Sequence, residues 1–181
     1  MSLTRVAVFV VLLGLLAAAS PARAQESKSG PLAKQLAAAL DAAKLDSVAA
    51  KDPSSADTFI AALYFPGAQL LVVSAKYTAP QLLDARLSKK EYRDTYIDLS
   101  SASVPDSKVF VQDALADGLK AKRDENQPFD IIEIAGKPVN FDGDWKKQKI
   151  SEQDYMKAFG SADDRYSNML HALIAELKKT S

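Results

Sequence analysis

Thr58-Phe59-Ile60-Ala61-Ala62-Leu63-Tyr64-Phe65, then Pro66-Gly67, then Gln69-Leu70-Leu71-Val72-Val73-Ser74-Ala75-Lys76: two apolar runs joined by a turn pair. They predict a β-hairpin. Proline presets the first corner of a type II turn and glycine supplies the positive φ of the second. Apolar residues fill both alternating sets of positions, so both strands are expected to be buried on both faces, in the middle of a sheet.

Upstream, Pro31 opens an alanine-rich run in which Leu32, Leu36, Leu40 and Ala43 recur at helical spacing, predicting a helix from 31 to about 50 that stops before Pro53. Downstream, Thr78 can cap a helix starting near Pro80. Ser88 followed by Glu91 restarts it to about Thr95, and a strand is expected at 96–99. The serine-rich stretch 100–107 reads as a loop and 108–112 as a strand. Asp117-Gly118 reads as a turn, and 119–127 as charged and solvated. A second hairpin is expected around Ala135-Gly136-Lys137-Pro138, and Asp142-Gly143-Asp144 turns the chain again. Ser151 and Ser161 each precede an acid by three residues, predicting two C-terminal helices divided at Phe159-Gly160. From Tyr166, the positions Met169, Leu170, Leu173, Ile174 and Leu177 form an amphipathic stripe.

The expected architecture is α+β: a mainly antiparallel sheet, open or closed into a small split barrel, with an N-terminal helix, one inserted helix and two C-terminal helices. Residues 1–24 have the order of a cleavable signal peptide: Arg5, an apolar run from Val6 to Ala19, then Pro21 and small residues at Ala22 and Ala24. The run is shorter than the ~20 residues of a spanning helix. Cleavage after Ala24 would leave a single domain, 25–181, secreted or periplasmic, with no stable membrane span.

Losing Arg5 and Arg23 would leave 21 basic against 23 acidic side chains, a net charge of −2. A near-neutral domain lacks the positive field that nucleic-acid binding needs, so that partner is not expected. Cysteine is absent, which excludes thiol nucleophiles, iron–sulfur clusters and thiolate zinc sites, and leaves the fold to packing alone. The single histidine, His171, excludes a histidine-based metal cluster and reads as a residue at the edge of a packed helix face. No Gly-x-Ser-x-Gly elbow or phosphate loop is present. Asn140-x-Asp142-x-Asp144 resembles the first half of a calcium loop. Glycine, however, stands at the fourth position, Trp145 at the sixth, where the loop needs its glycine, and Ser151 at the twelfth, where it needs a glutamate, so it reads as an acidic turn. No catalytic residue and no metal ligand is assigned.

One constellation points to a ligand. Arg86, Lys89, Lys90 and Arg93 share a helix face just after the strand that ends in Lys76-Tyr77, a placement able to hold an anionic group such as a phosphate. The alternative is a solvated face answered by Asp84, Glu91 and Asp94. Over residues 57–141 the order of elements also resembles the split-barrel domains that bind flavin phosphate. That resemblance implies a flavin-type cofactor such as flavin mononucleotide, anion contacts at Lys76, Tyr77, Lys89, Lys90 and Arg93, and an oxidoreductase activity. Against it stands a non-catalytic binding or envelope-associated domain, which the lack of a recognisable catalytic set favours.

Overall fold

The computed structural model describes residues 27–65, 69–76 and 107–180. The proposed signal peptide, the turn pair Pro66-Gly67, and the helix, strand and loop expected across 78–106 lie outside them.

The central hairpin forms as its sequence requires. Strand β2 (Thr58–Phe65) pairs antiparallel with β3 (Gln69–Lys76), from Thr58 opposite Lys76 to Phe65 opposite Gln69. Around it stand β1 (Ser47–Lys51), β4 (Ser107–Asp113), β5 (Asp130–Ile134) and β6 (Lys137–Phe141), giving one antiparallel sheet in the order β1-β2-β3-β4-β5-β6. Both faces of the hairpin are buried. Ile60, Ala62, Leu70 and Val72 join one apolar cluster, while Phe59, Ala61, Leu63, Leu71, Val73, Ala75 and Phe110 form a second on the opposite face.

The sheet does not close into a barrel, because β1 and β6 are edges at opposite ends of the strand order. Both are five-residue strands, β6 carries Pro138, which has no N–H to donate, and most of its side chains are exposed. The core instead forms between one sheet face and two helices, α1 (Ser29–Ala43) and α2 (Glu152–Thr180). Among the described residues these are two helices where three of the four expected ones fall, because the two C-terminal helices are one; the expected inserted helix lies outside the described residues.

Helix α1 ends earlier than its alanine content suggests. Lys44 turns left-handed at φ 57, and the N–H groups of Lys44 and Leu45 close the end on Asp41 and Leu40 at 3.1 and 2.9 Å. Ser47–Lys51 then becomes a strand, because the outer edge of β2 offers a ladder of backbone partners that outweighs the helical preference of its alanines. The buried stripe of α1 is Ala33, Leu36, Ala37 and Leu40, with Leu32 half-buried and Ala43 exposed.

The two C-terminal helices are one. Ser151 caps α2, its hydroxyl accepting from the Asp154 N–H at 3.0 Å. The chain then stays helical through Gly160, because the buried face runs unbroken through Tyr155, Phe159, Ala162, Tyr166, Met169 and onward. Asp164, expected to help start a second helix, bonds instead to the Lys28 ammonium at 2.6 Å, while its neighbour Asp163 accepts from the Lys28 and Ser29 N–H groups at 2.7 and 3.0 Å. Asp163 thereby caps α1 from α2.

The second hairpin has a two-residue turn, Ala135 and Gly136, with φ of 50° and 75°. Leu119, expected to be solvated, is fully buried in the core. No helix among the described residues is long and apolar enough to cross a membrane.

Candidate functional site

In an antiparallel sheet taken in chain order, the ends of odd strands and the starts of even strands fall on the same side. Four lysines occupy such positions: Lys51 ends β1, Lys76 ends β3, Lys108 is the second residue of β4, and Lys137 opens β6. Lys51, Lys108 and Lys137 are exposed and Lys76 is half-buried. The chain between Lys76 and Ser107 leaves and returns at this same end.

The loop between β1 and β2 is built into it by a polar network. Asp52 has a fully buried side chain and receives both guanidinium nitrogens of Arg165 from α2, at 3.0 and 2.6 Å. Its carboxylate also accepts from the Ser54 N–H at 2.8 Å and from the buried Ser74 hydroxyl on β3, and Arg165 reaches the Ser54 hydroxyl at 2.5 Å. Burial opposes ionisation, but the bonds from Arg165, Ser74 and Ser54 outweigh it and hold the Asp52 carboxyl down at about 2. Beside it, Lys108 donates to Asp57 at 3.2 Å and to Ser55 at 3.4 Å, and the Ser55 hydroxyl donates to Asp57. An open depression is lined by Lys51, Asp52, Pro53, Ser54, Ser55 and Ala56. Among the described residues, this end carries four lysines and Arg165 beside Asp52, Asp57 and Glu133. It can hold an anionic group through charge-assisted hydrogen bonds.

The opposite end of the sheet carries buried carboxylates. Asp113, at the end of β4, accepts from the N–H groups of Asp117 and Gly118 at 3.0 and 2.8 Å and from the Tyr166 hydroxyl at 3.0 Å. Asp130, at the start of β5, accepts from the Ala114 and Lys120 N–H groups at 2.9 and 2.7 Å. These bonds hold loop 114–120.

Of the residues singled out from sequence, Lys76 is placed at the cationic end. Tyr77, Lys89, Lys90 and Arg93, with Arg86, lie outside the described residues. His171 is exposed on α2 rather than at the edge of a packed face. Asp142 serves an acidic turn, its carboxylate accepting the Asp144 N–H at 2.8 Å, and no group of metal-ligating side chains forms among the described residues.

Sequence reading missed Asp52, Arg165, Ser74, Asp113 and Asp130. Asp113 and Asp130 had a signal, a carboxylate abutting an apolar strand run; Arg165 had none, because its partner lies 113 residues away. No family model, no curated protein and no solved structure matches this chain.

Proposed function

We propose that this chain is a secreted or periplasmic, non-catalytic binding domain that presents the lysine-bearing end of its sheet to an anionic ligand. The observation that carries the reading is that Lys51, Lys76, Lys108 and Lys137 are spread along one end of the sheet, from edge strand to edge strand, with Arg165 bound to Asp52 at the same end. Lys89, Lys90 and Arg93 belong to the segment 77–106 that joins Lys76 to Ser107 in the sequence. Like charges gathered this way repel one another weakly and gain from an anion that answers them. The described carboxylates inside the fold, Asp52, Asp113, Asp130 and Asp163, are occupied in holding loops and helix ends, a structural use that favours binding over catalysis.

The test is a thermal-shift screen with inorganic phosphate and phosphorylated cofactors, including flavin mononucleotide, on the wild type and on a Lys51→Glu/Lys76→Glu/Lys137→Glu variant. Stabilisation of the wild type that vanishes in the variant is expected. An equal response from both proteins, or none from the wild type, removes the site. The open sheet takes away the barrel on which the flavin resemblance rests, so flavin mononucleotide serves only as one probe among several. Export has its own measurement: the intact mass of secreted material should begin at Gln25, and retention of Met1 contradicts it.

A further inference from the structure

Asp113 and Asp130 lie side by side on neighbouring strands. The register of β4 and β5 places Gln112 opposite Ile131, so each carboxylate extends its strand one residue past that pair. Both residues are buried, at 0% and 5% exposure. Between them they accept four backbone N–H groups of loop 114–120 and the hydroxyl of Tyr166. The loop in turn seats α1. Leu119 donates its N–H to the Ser29 hydroxyl at 2.9 Å, and Gly118 lies so close that a Cβ there would stand 2.3 Å from the Gly30 nitrogen.

All five donors to the pair are neutral groups. The charged and titratable groups that face it from the packed elements do not neutralise it. From the loop, Asp117 adds negative charge and binds the Lys120 ammonium at 2.6 Å. From α2, Tyr166 is buried and holds its proton, its ionisation pushed far up by burial and then by Asp113, and Tyr155, which also feels Asp130, is pushed up chiefly by burial and is neutral. Asp163, also from α2, is committed to the first N–H groups of α1. Lys120 feels Asp130 but bonds to Asp117.

We infer that Asp113 and Asp130 form a proton-operated latch, which fastens loop 114–120 and the first turn of α1 to the sheet more tightly when the pair carries protons than when both carboxyls are ionised. Burial pushes Asp113 up to about 6 against the bonds from Gly118, Asp117 and Tyr166. Burial, and then the charge of Asp113, push Asp130 up to about 7 despite the bonds from Ala114 and Lys120. Both values lie above the ordinary 3.8, so the native pair binds protons more tightly than the unfolded chain does. Its contribution to stability is therefore full below about pH 4 and lost as pH rises through about 6 to 7.

Hydrogen–deuterium exchange read at the Gly118 and Lys120 amides tests the latch. Corrected for intrinsic exchange, protection of these amides in the wild type should fall about tenfold or more between pH 5 and pH 8, one pKa unit of differential binding being a factor of ten. In Asp130→Asn, whose amide oxygen still accepts an N–H, the fall should flatten. Carbon-13 titration of the wild-type aspartate carboxyls does not depend on that variant folding, and it should show two midpoints well above 5. Protection that is constant or rises with pH, a variant that keeps the full pH dependence, or carboxyls that all titrate near the ordinary value would each overturn the inference.

Discussion

At the scale of single residues, a small number of polar side chains act at long range along the chain. Arg165 is the sharpest case. Removing it leaves the Asp52 carboxylate buried with only Ser74 and Ser54 as partners, so Arg165→Ala should cost about 3 kcal/mol at neutral pH in urea melts. The cost has a pH signature. Asp52 sits at about 2 in the fold, below its ordinary 3.8, so its contribution is present above about pH 4 and lost as pH falls through 2. The gap between wild type and variant should narrow over that window. Gly118 is the second case, where φ is +88° and the neighbouring backbone leaves no room. Gly118→Ala should cost about 3 kcal/mol or more, whereas Gly136→Ala, left-handed but with nothing within 4 Å, should cost about 1 kcal/mol from backbone strain alone. Equal losses would mean that the contact between loop 114–120 and α1 is not tight.

At the scale of elements, α2 shows packing overriding a local break. Gly160 is helical and a Cβ there meets nothing within 4 Å, so its flexibility is a cost without a steric purpose. Gly160→Ala should raise stability by about 0.5–1 kcal/mol, read as a higher urea midpoint. The same helix carries its burial on one face. Leu173 is fully buried, so Leu173→Asp should cost several kcal/mol by burying an unpaired charge, while the exposed Lys178→Ala should cost about 0.5 kcal/mol or less. Similar losses from the two would contradict the docking of α2 on α1 and the sheet. Strand β1 shows the converse. Its residues Val48-Ala49-Ala50 suit a helix as well as a strand, and the unpaired edge of β2 decides between them.

At the scale of the whole molecule, the two carboxylate sites oppose each other in pH. The Asp52–Arg165 pair stabilises the fold above about pH 4, and the protonated Asp113–Asp130 pair stabilises it fully below about pH 4, a contribution lost progressively as pH rises through about 6 to 7. Stability should therefore peak near pH 4 and fall as pH rises toward 7, in urea melts across a pH series. A maximum above pH 8 would mean that the buried carboxylates do not behave as their surroundings imply. Both sites also tie α2 to distant parts of the chain, Arg165 to Asp52 and Tyr166 to Asp113, so the helix and the sheet should unfold in one transition.

The sequence by itself determined what depends on neighbours along the chain. The β2–β3 hairpin, β4, the tight turn at Ala135-Gly136, the Ser151 cap and the stripe from Tyr166 to Leu177 were legible because apolar periodicity and turn chemistry act over a few residues. Lys76 was legible as a strand-end cation, but its company with Lys51, Lys108 and Lys137 was not, because strand order alone brings the four to one end. Tertiary structure decided where local preferences were weak or in conflict. It ended α1 at Ala43, made β1 a strand, carried α2 through Gly160, and left the sheet open with two edges rather than closed. It also chose the partners of Asp52, Asp113, Asp130 and Asp163. A carboxylate forced into the core must be satisfied by whatever donors the fold brings near it, and those donors come from residues that local sequence does not connect.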